Sequence, residues 1–431
     1  MGNSSVQIGT AIAREDAWPR RYTVVALFAL GTALCYMDRT NISIAIIPLA
    51  REKGYDAAAR GLILSSFFWG YIGAQMLGGW MADRFGAKRV LTAAVTIWSV
   101  ATFLTPPSAA ISFGALLLMR GLLGLGESFH FPAMHSAAAR WTIASERSRA
   151  ISLYVSGVSF GTICALLISP IIVLSLGWPW VFYISGVLGV AWIAAWMVKA
   201  ADDPKDCPGV GPQELALIQA DRPQAPLAQE IPWRPILRER AVWAIVIAHV
   251  CNNFGLYIIL LWLPTYLHET FAVPMERLGV YSIMPWIAAF IVGNVSGWIA
   301  DGLHKRGMTL TTVRKLMQTL AFTLGAAPMI VLPAAHSVLV ATALITLAVG
   351  GASFGIAGFA GNHLDVAPRY AGILMGLSNT FAQLPGIIGV ALTGFIVQAT
   401  HSFAGAFYLT ALIYVIGMIC YLAMASGEQK L

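Results

Sequence analysis

Asp38, Arg39, Arg120, Glu127 and His135 are ionisable residues set in stretches that are otherwise apolar. The last three lie in ISFGALLLMRGLLGLGESFHFPAMHSAAARW (111–141), which reads as one long buried helix. Seven residues make nearly two helical turns, so Arg120 and Glu127 share a face and stand roughly 10 Å apart along the axis. His135, eight residues further on, points within about a quarter-turn of that face. Asp38 and Arg39 are adjacent in TVVALFALGTALCYMDRTNISIAIIPLA and diverge by about 100° on a helix. One of them therefore pairs with the 111–141 helix while the other faces a cavity. A charge at mid-bilayer costs about 2.5–3.5 kcal/mol, so such residues either line an interior path or lock two helices together. Two bases and two acids in one interior have the chemistry to hold an anion and to carry a proton.

The elements that must position these residues are membrane-spanning helices. The chain has 431 residues, 58% of them apolar and 11% charged, with a mean hydropathy of +0.72. A soluble protein carries about 25% charged residues. Stretches of spanning length recur at 23–48, 60–82, 90–106, 111–135, 149–175, 180–198, 241–267, 278–300, 313–334, 338–360, 371–397 and 403–425. The expectation is an all-α membrane protein with twelve transmembrane helices and no room for a soluble catalytic domain. Cys35, Cys164, Cys251 and Cys420 fall inside spans and Cys207 in a loop, with neither disulfide nor metal-ligand spacing. No metal and no cofactor are expected.

The formal charge of +7 does not point to nucleic acid, because the bases follow the loops. Of 27 Lys and Arg, 21 fall on the face that holds both termini. Arg51, Lys53, Arg60 and Arg277 fall on the opposite face, and Arg39 and Arg120 inside the membrane. The positive-inside rule then places both termini in the cytoplasm of a multi-pass protein of the plasma (inner) membrane. The N-terminal segment lacks the apolar core of a signal peptide, although Met1-Gly2 through Ser5 resembles a myristoylation start.

Gly79-Trp80-Met81-Ala82-Asp83 ends the second span, and Gly297-Trp298-Ile299-Ala300-Asp301 ends the eighth at the corresponding place. With six spans on either side of a long loop, this reads as a duplicated six-helix unit. The domains are a first half at 1–198, a proline-rich linker at 199–240 acting as a tether, and a second half at 241–431. Gly79 permits close helix packing, and Asp83, Arg84 and Asp301 are placed to make gate contacts that form in one state and break in the other. The second half offers uncharged polar residues: Asn252, Asn253 and Tyr257 on span seven, Asn294 on span eight, Asn379 and Gln383 on span eleven. Asn379 and Gln383 are four apart and share a face, suited either to substrate hydroxyls or to interhelical bonding. His130, His249 and His363 receive no role.

Gly79 to Arg89 resembles the loop motif of the major facilitator superfamily, with Ala87 where Arg is more usual. Tyr36 to Asn41, Glu127 with Phe131 to His135, Leu263 to Leu267 and Ala367 to Leu374 resemble its anion:cation symporter family, the sialin-like and bacterial sugar-acid carriers. The resemblance runs over nearly the whole chain. It implies two pseudo-symmetric six-helix halves, alternating access and proton-coupled movement of a carboxylate, with Arg39 engaging substrate and Glu127 coupling protons. Asp38, Arg120 and His135 fall on matching positions. Vesicular glutamate carriers of this family place an Arg near the start of span seven, whereas this chain reads Cys251-Asn252-Asn253-Phe254-Gly255 there. Two bases opposed by two acids suit one carboxylate better than a polyanion.

The expected function is proton-coupled symport of an organic monocarboxylate by a monomer. Substrate binds Arg39, Arg120, Asn253, Tyr257, Asn379 and Gln383, protons move on Asp38, Glu127 and His135, and Gly79, Asp83, Arg84 and Asp301 serve the gates. An inorganic anion carrier for phosphate or nitrate, or a proton-drug antiporter of the same fold, are the alternatives. A membrane enzyme would need a nucleophile–base or metal constellation that the sequence does not offer, and a receptor would need larger loops.

Overall fold

The computed structural model describes residues 18–220 and 231–431; the myristoylation-like start lies outside them. Spans one to three are Arg20–Lys53, Ala57–Phe85 and Ala87–Ile111. Span four is broken into Phe113–Ser128 and His130–Trp141, and spans five and six are Ala144–Leu176 and Trp178–Lys199. The second half repeats the count with Arg240–Phe271, Met275–Lys305 and Leu310–Val331. Span ten is broken into Val338–Ala352 and Phe359–Val366, span eleven into Ala371–Phe381 and Leu384–Thr400, and span twelve is Ala404–Met424. Helix starts carry the expected caps: Asp56, Ser112, Thr309 and Ser337 each accept a backbone N–H of the first turn. Among the described residues, nine helical segments are long and apolar enough to cross a membrane on length and composition alone. The exceptions are spans one, two and four, from which the charged site is built. Polar residues lower the mean hydropathy of the first two, and the break at Phe129 shortens the pieces of the fourth.

The duplication read from the sequence is visible in the packing. Span one packs on five, two on four, three on four and three on six; seven on eleven, eight on ten, nine on ten and nine on twelve are their images. Across the halves, two packs on eleven and five on eight, again images of each other. Spans two and four approach most closely within the first half. A Cβ on Gly70 would fall 1.9 Å from the Gly121 carbonyl oxygen, and one on Gly124 the same distance from that of Phe67. Only glycine fits at either crossing point.

The halves meet at the face away from the termini. There a Cβ on Gly394 would stand 2.4 Å from the Ala57 carbonyl oxygen, Ala57 N donates to Gln398 Oε1 at 3.1 Å, and Arg60 is ion-paired with Glu269. Towards the termini face the halves part around a cleft of about 940 Å³, lined by Ser152, Ser156 and Ser159 of span five, Asn252 of span seven and Asn294 of span eight. The halves are thus joined on the distal side, and the larger cleft lies towards the termini.

The linker differs from the expected tether. Its 199–220 stretch is docked on the first half. The Glu214 carboxylate accepts from the backbone N–H groups of Arg20 and Arg21 at 3.0 and 2.9 Å, and Arg21 also pairs with Glu146 of span five. Asp202 accepts from Lys88 N at 2.6 Å. Both acids sit on helix N-termini, where unpaired N–H groups and the helix dipole favour negative charge.

Candidate functional site

The contact between spans one and four is built around Arg39 and Glu127, 2% and 0% exposed. Arg39 places Nη2 at 3.0 Å and Nε at 3.3 Å from one oxygen, Glu127 Oε2. Cys35, one turn back on span one, donates its thiol to the same oxygen at 3.1 Å. The other oxygen, Oε1, is buried without a partner. Around the guanidinium stand the rings of Tyr36, Phe67 and Tyr71, with centroids 4.7, 4.6 and 4.8 Å away. Each such contact contributes on the order of 0.5–2 kcal/mol and leaves the donor edge free to change acceptors.

Arg120 lies over the same Phe67 ring at 5.8 Å. It is fully buried, and Nε, Nη1 and Nη2 all lack a hydrogen-bond partner among the described residues. Arg120 and Glu127, nearly two turns apart, do not pair; Glu127 turns to Arg39. Of Asp38 and Arg39, it is Arg39 that meets span four. Asp38 is buried with Oδ1 unpartnered. Nearby Asn41 is held between two serines, donating to Ser185 at 2.7 Å and accepting from Ser169 at 2.9 Å.

The second half brings its expected residues together as a ladder. Tyr257 donates to Gln383 Oε1 at 2.9 Å, and Asn253 donates to the Ala382 carbonyl at 3.1 Å and to the Tyr257 oxygen at 3.3 Å. Gln383 reaches back to Asn379 Oδ1 at 3.2 Å. These bonds satisfy span eleven where its helix is interrupted between Phe381 and Leu384. One turn nearer the termini, His249 and His363 converge on Ser378 Oγ at 3.2 and 2.9 Å. The Phe68 and Tyr257 rings, 4.5 Å apart, join this ladder to the aromatic wall around Arg39.

His135 does not join the site. The break at Phe129 resets the helical phase, and His135 is exposed, with Nδ1 donating to the Phe131 carbonyl in its own helix at 2.8 Å. His130, which received no role, is the buried histidine of this segment. At the termini face Asp83 accepts from Ser136 Oγ at 2.6 Å and lies 3.8 Å from Arg140, so it ties span two to the lower piece of span four. Arg84 is exposed beside the Trp80 and Phe85 rings, 5.8 Å from each, with no acid partner among the described residues. Asp301 is also exposed and makes no side-chain bond among them. Close packing belongs to Gly78, whose Cβ would meet Phe129 at 3.2 Å; at Gly79 the nearest atom is 3.9 Å away. Cys35, Tyr36 and Tyr71 are site residues that sequence reasoning missed, although Cys35 and Tyr36 stand one turn before Arg39. Among the described residues no group of three His, Cys, Asp or Glu could hold a metal ion.

Comparison with known proteins agrees with this geometry. Residues 28–390 match the family model described as Major Facilitator Superfamily. The chain is 40% identical over 414 residues to the sodium-dependent phosphate transport protein 1, chloroplastic, of Arabidopsis thaliana, covering 96% of this chain and 81% of the relative. It is 40% identical over 417 residues to the ascorbate transporter, chloroplastic, of the same plant, covering 96% and 76%. Among solved structures, a D-xylose-proton symporter superposes with a TM-score of 0.76 at 12% identity, covering 95% of this chain and 99% of that one. The chain belongs to the Major Facilitator Superfamily, as a multi-pass membrane transporter among its anion transporters.

Proposed function

We propose that this transporter is a proton-coupled symporter for an organic monocarboxylate such as a sugar acid. The observation that carries the reading is Arg120: a fully buried guanidinium with no partner on any nitrogen, beside an Arg39 whose one partner acid is titratable. A buried, unpaired cation costs several kcal/mol, which an incoming anion relieves. A proton on Glu127 cancels its charge, and the substrate carboxylate then replaces it on Arg39 in a two-donor bond. Arg39 therefore never faces the low-dielectric interior alone. Loss of that proton restores the Arg39–Glu127 pair and expels substrate. Asp38 is a second proton carrier, and Asn253, Tyr257, Asn379 and Gln383 meet the substrate from the other half.

In this reading residues 1–198 and 241–431 rock against each other as a monomer. Asp83, with Ser136 and Arg140, serves the gate at the termini face. The basic loops favour a cytoplasmic termini face in the plasma (inner) membrane, while the names of the two plant relatives place those proteins in the chloroplast. A second reading, inorganic phosphate, is favoured by the name of one of those relatives and by the same bare guanidinium. The test is uptake into proteoliposomes of hexonates, hexuronates, ascorbate and phosphate, each under an inward proton gradient, an inward sodium gradient, or neither. Uptake of a monocarboxylate stimulated by the proton gradient supports the proposal. Phosphate uptake driven by sodium, without carboxylate uptake, overturns it.

A further inference from the structure

A proton that arrives on Glu127 has to leave towards the termini face, and His130 stands on that side of it. His130 is fully buried. Its Nε2 lies 3.2 Å from Thr32 Oγ1, and Thr32 Oγ1 is 3.0 Å from the Phe28 carbonyl oxygen. A carbonyl only accepts, so the threonine hydroxyl donates to Phe28, and His130 Nε2–H donates to the threonine. That tautomer leaves Nδ1 as a bare lone pair, and Nδ1 is buried with no partner. Glu127 Oε1, three residues earlier, is likewise buried without a partner among the described residues. Both residues face span one on successive turns: Glu127 meets Cys35 and Arg39, and His130 meets Thr32. A buried polar atom without a partner costs about 1–3 kcal/mol, and two on adjacent turns of one helix interface have a functional explanation where a structural one is lacking.

The charged and titratable groups about His130 are few. Span one presents Cys35 and Arg39, both already committed to Glu127 Oε2. Span four presents Glu127 on one side and the exposed His135 on the other. Span three contributes the Trp98 ring, 5.4 Å away, and span six the Trp192 ring, beside Gly31; neither titrates. No acid competes with Glu127 for the bare nitrogen.

We propose that His130 relays the coupling proton from Glu127 to the termini face, an inference that rests on the proton-coupled reading above. Glu127 Oε1 and His130 Nδ1 are not bonded to each other in this structure; once protonation frees Glu127 from Arg39 and the two come within hydrogen-bond reach, the Glu127 O–H bond breaks as Nδ1–H forms. The Nε2–H bond breaks as its proton passes to Thr32 Oγ1, whose own hydroxyl proton, donated to the buried Phe28 carbonyl in this structure, goes on to water when the termini side opens to admit it. Glu127 is left as the carboxylate that re-pairs with Arg39, and the imidazole is left neutral in the other tautomer. A half-turn of the ring resets it.

The test uses the full chain in liposomes with labelled D-gluconate. Counterflow at equal pH exchanges substrate without releasing the proton, whereas net uptake under an inward proton gradient requires release. His130→Gln keeps a polar group opposite Thr32 but passes no proton. Its net uptake is expected to fall on the order of tenfold or more, with counterflow held within about twofold of wild type, since exchange bypasses proton transfer. Thr32→Val, which removes the next carrier while keeping the side-chain shape, should show the same split and carries the test where His130→Gln does not fold. Equal losses in both assays for Thr32→Val, or undiminished net uptake by His130→Gln, overturn the relay. Wild-type counterflow that the proton gradient does nothing to convert into accumulation overturns the coupled reading itself, and that result is seen on the wild type alone.

Discussion

The two halves share one scaffold and divide the chemistry unequally. Every helix contact of the first half has its image six spans later, yet Asp38, Arg39, Arg120 and Glu127 all lie in the first half. The matching depth of the second half holds the neutral ladder of Asn253, Tyr257, Asn379 and Gln383. Under the proposed proton-coupled reading, the difference follows from what each group would have to do. Charges can change partners when a proton moves, so they suit the half that couples. Neutral hydrogen bonds keep their strength when the proton moves, so they suit a half that grips substrate and holds a broken helix in shape.

The strongest attack on this division is Arg39→Lys. The charge survives, but Lys has no planar fork with which to leave Glu127 Oε2 and take both oxygens of a carboxylate. Uptake is expected to drop to background at equal expression; wild-type rates in this variant would remove Arg39 from the substrate contact. Next in size is Glu127→Gln, which imitates the protonated acid permanently. Substrate binding and counterflow should persist while accumulation under a proton gradient disappears. Accumulation at the wild-type level would move coupling to Asp38.

The ladder should respond more mildly. Tyr257→Phe removes one hydroxyl that bonds both Gln383 and Asn253, a loss of about 0.5–1.5 kcal/mol per bond. Apparent affinity should weaken by roughly three- to tenfold with the proton dependence unchanged; an altered pH profile would show that the second half also couples. The smallest effects belong to the repeated Gly-Trp-x-Ala-Asp ends. Asp83→Asn weakens the contacts to Ser136 and Arg140 and should slow transport a few-fold while leaving equilibrium binding within a few-fold, the scale of one partly exposed polar contact. Asp301→Asn removes no bond and should leave transport unchanged, so equal losses in the two variants would mean that the halves use their motifs alike.

The sequence made the scaffold legible because lipid imposes a coarse rule: about 20 apolar residues per crossing, and charges only where protein surrounds them. The same rule exposed Arg39, Arg120 and Glu127. Helical phase failed at His135 because it was carried through Phe129, where the helix stops; Pro132, tolerated in a first turn and disfavoured inside a helix, was the available sign. Thr32, Cys35 and Tyr71 were not legible as site residues. Their roles come from partners on other spans, and nothing local distinguishes a threonine that meets a histidine from one that bonds its own helix. Glu214 was hidden for the same reason: a linker acid becomes a cap only when it meets the start of span one.

The four charges sealed in the first half have an electrical consequence. Two acids and two bases sum to zero in the empty site, and under the proposed reading one anion arriving with a single proton, held by Glu127 or by Asp38 in its place, leaves the sum at zero. Neither the loaded nor the empty carrier then drags net charge across the bilayer. A membrane potential does work of about 2.3 kcal/mol per charge per 100 mV, and on this cycle it has no charge to act upon. A potassium–valinomycin diffusion potential should leave the uptake rate unaltered. The carrier would run as silently in a depolarised vesicle as in an energised one, with the concentration ratio it can sustain set by pH alone, about tenfold per unit.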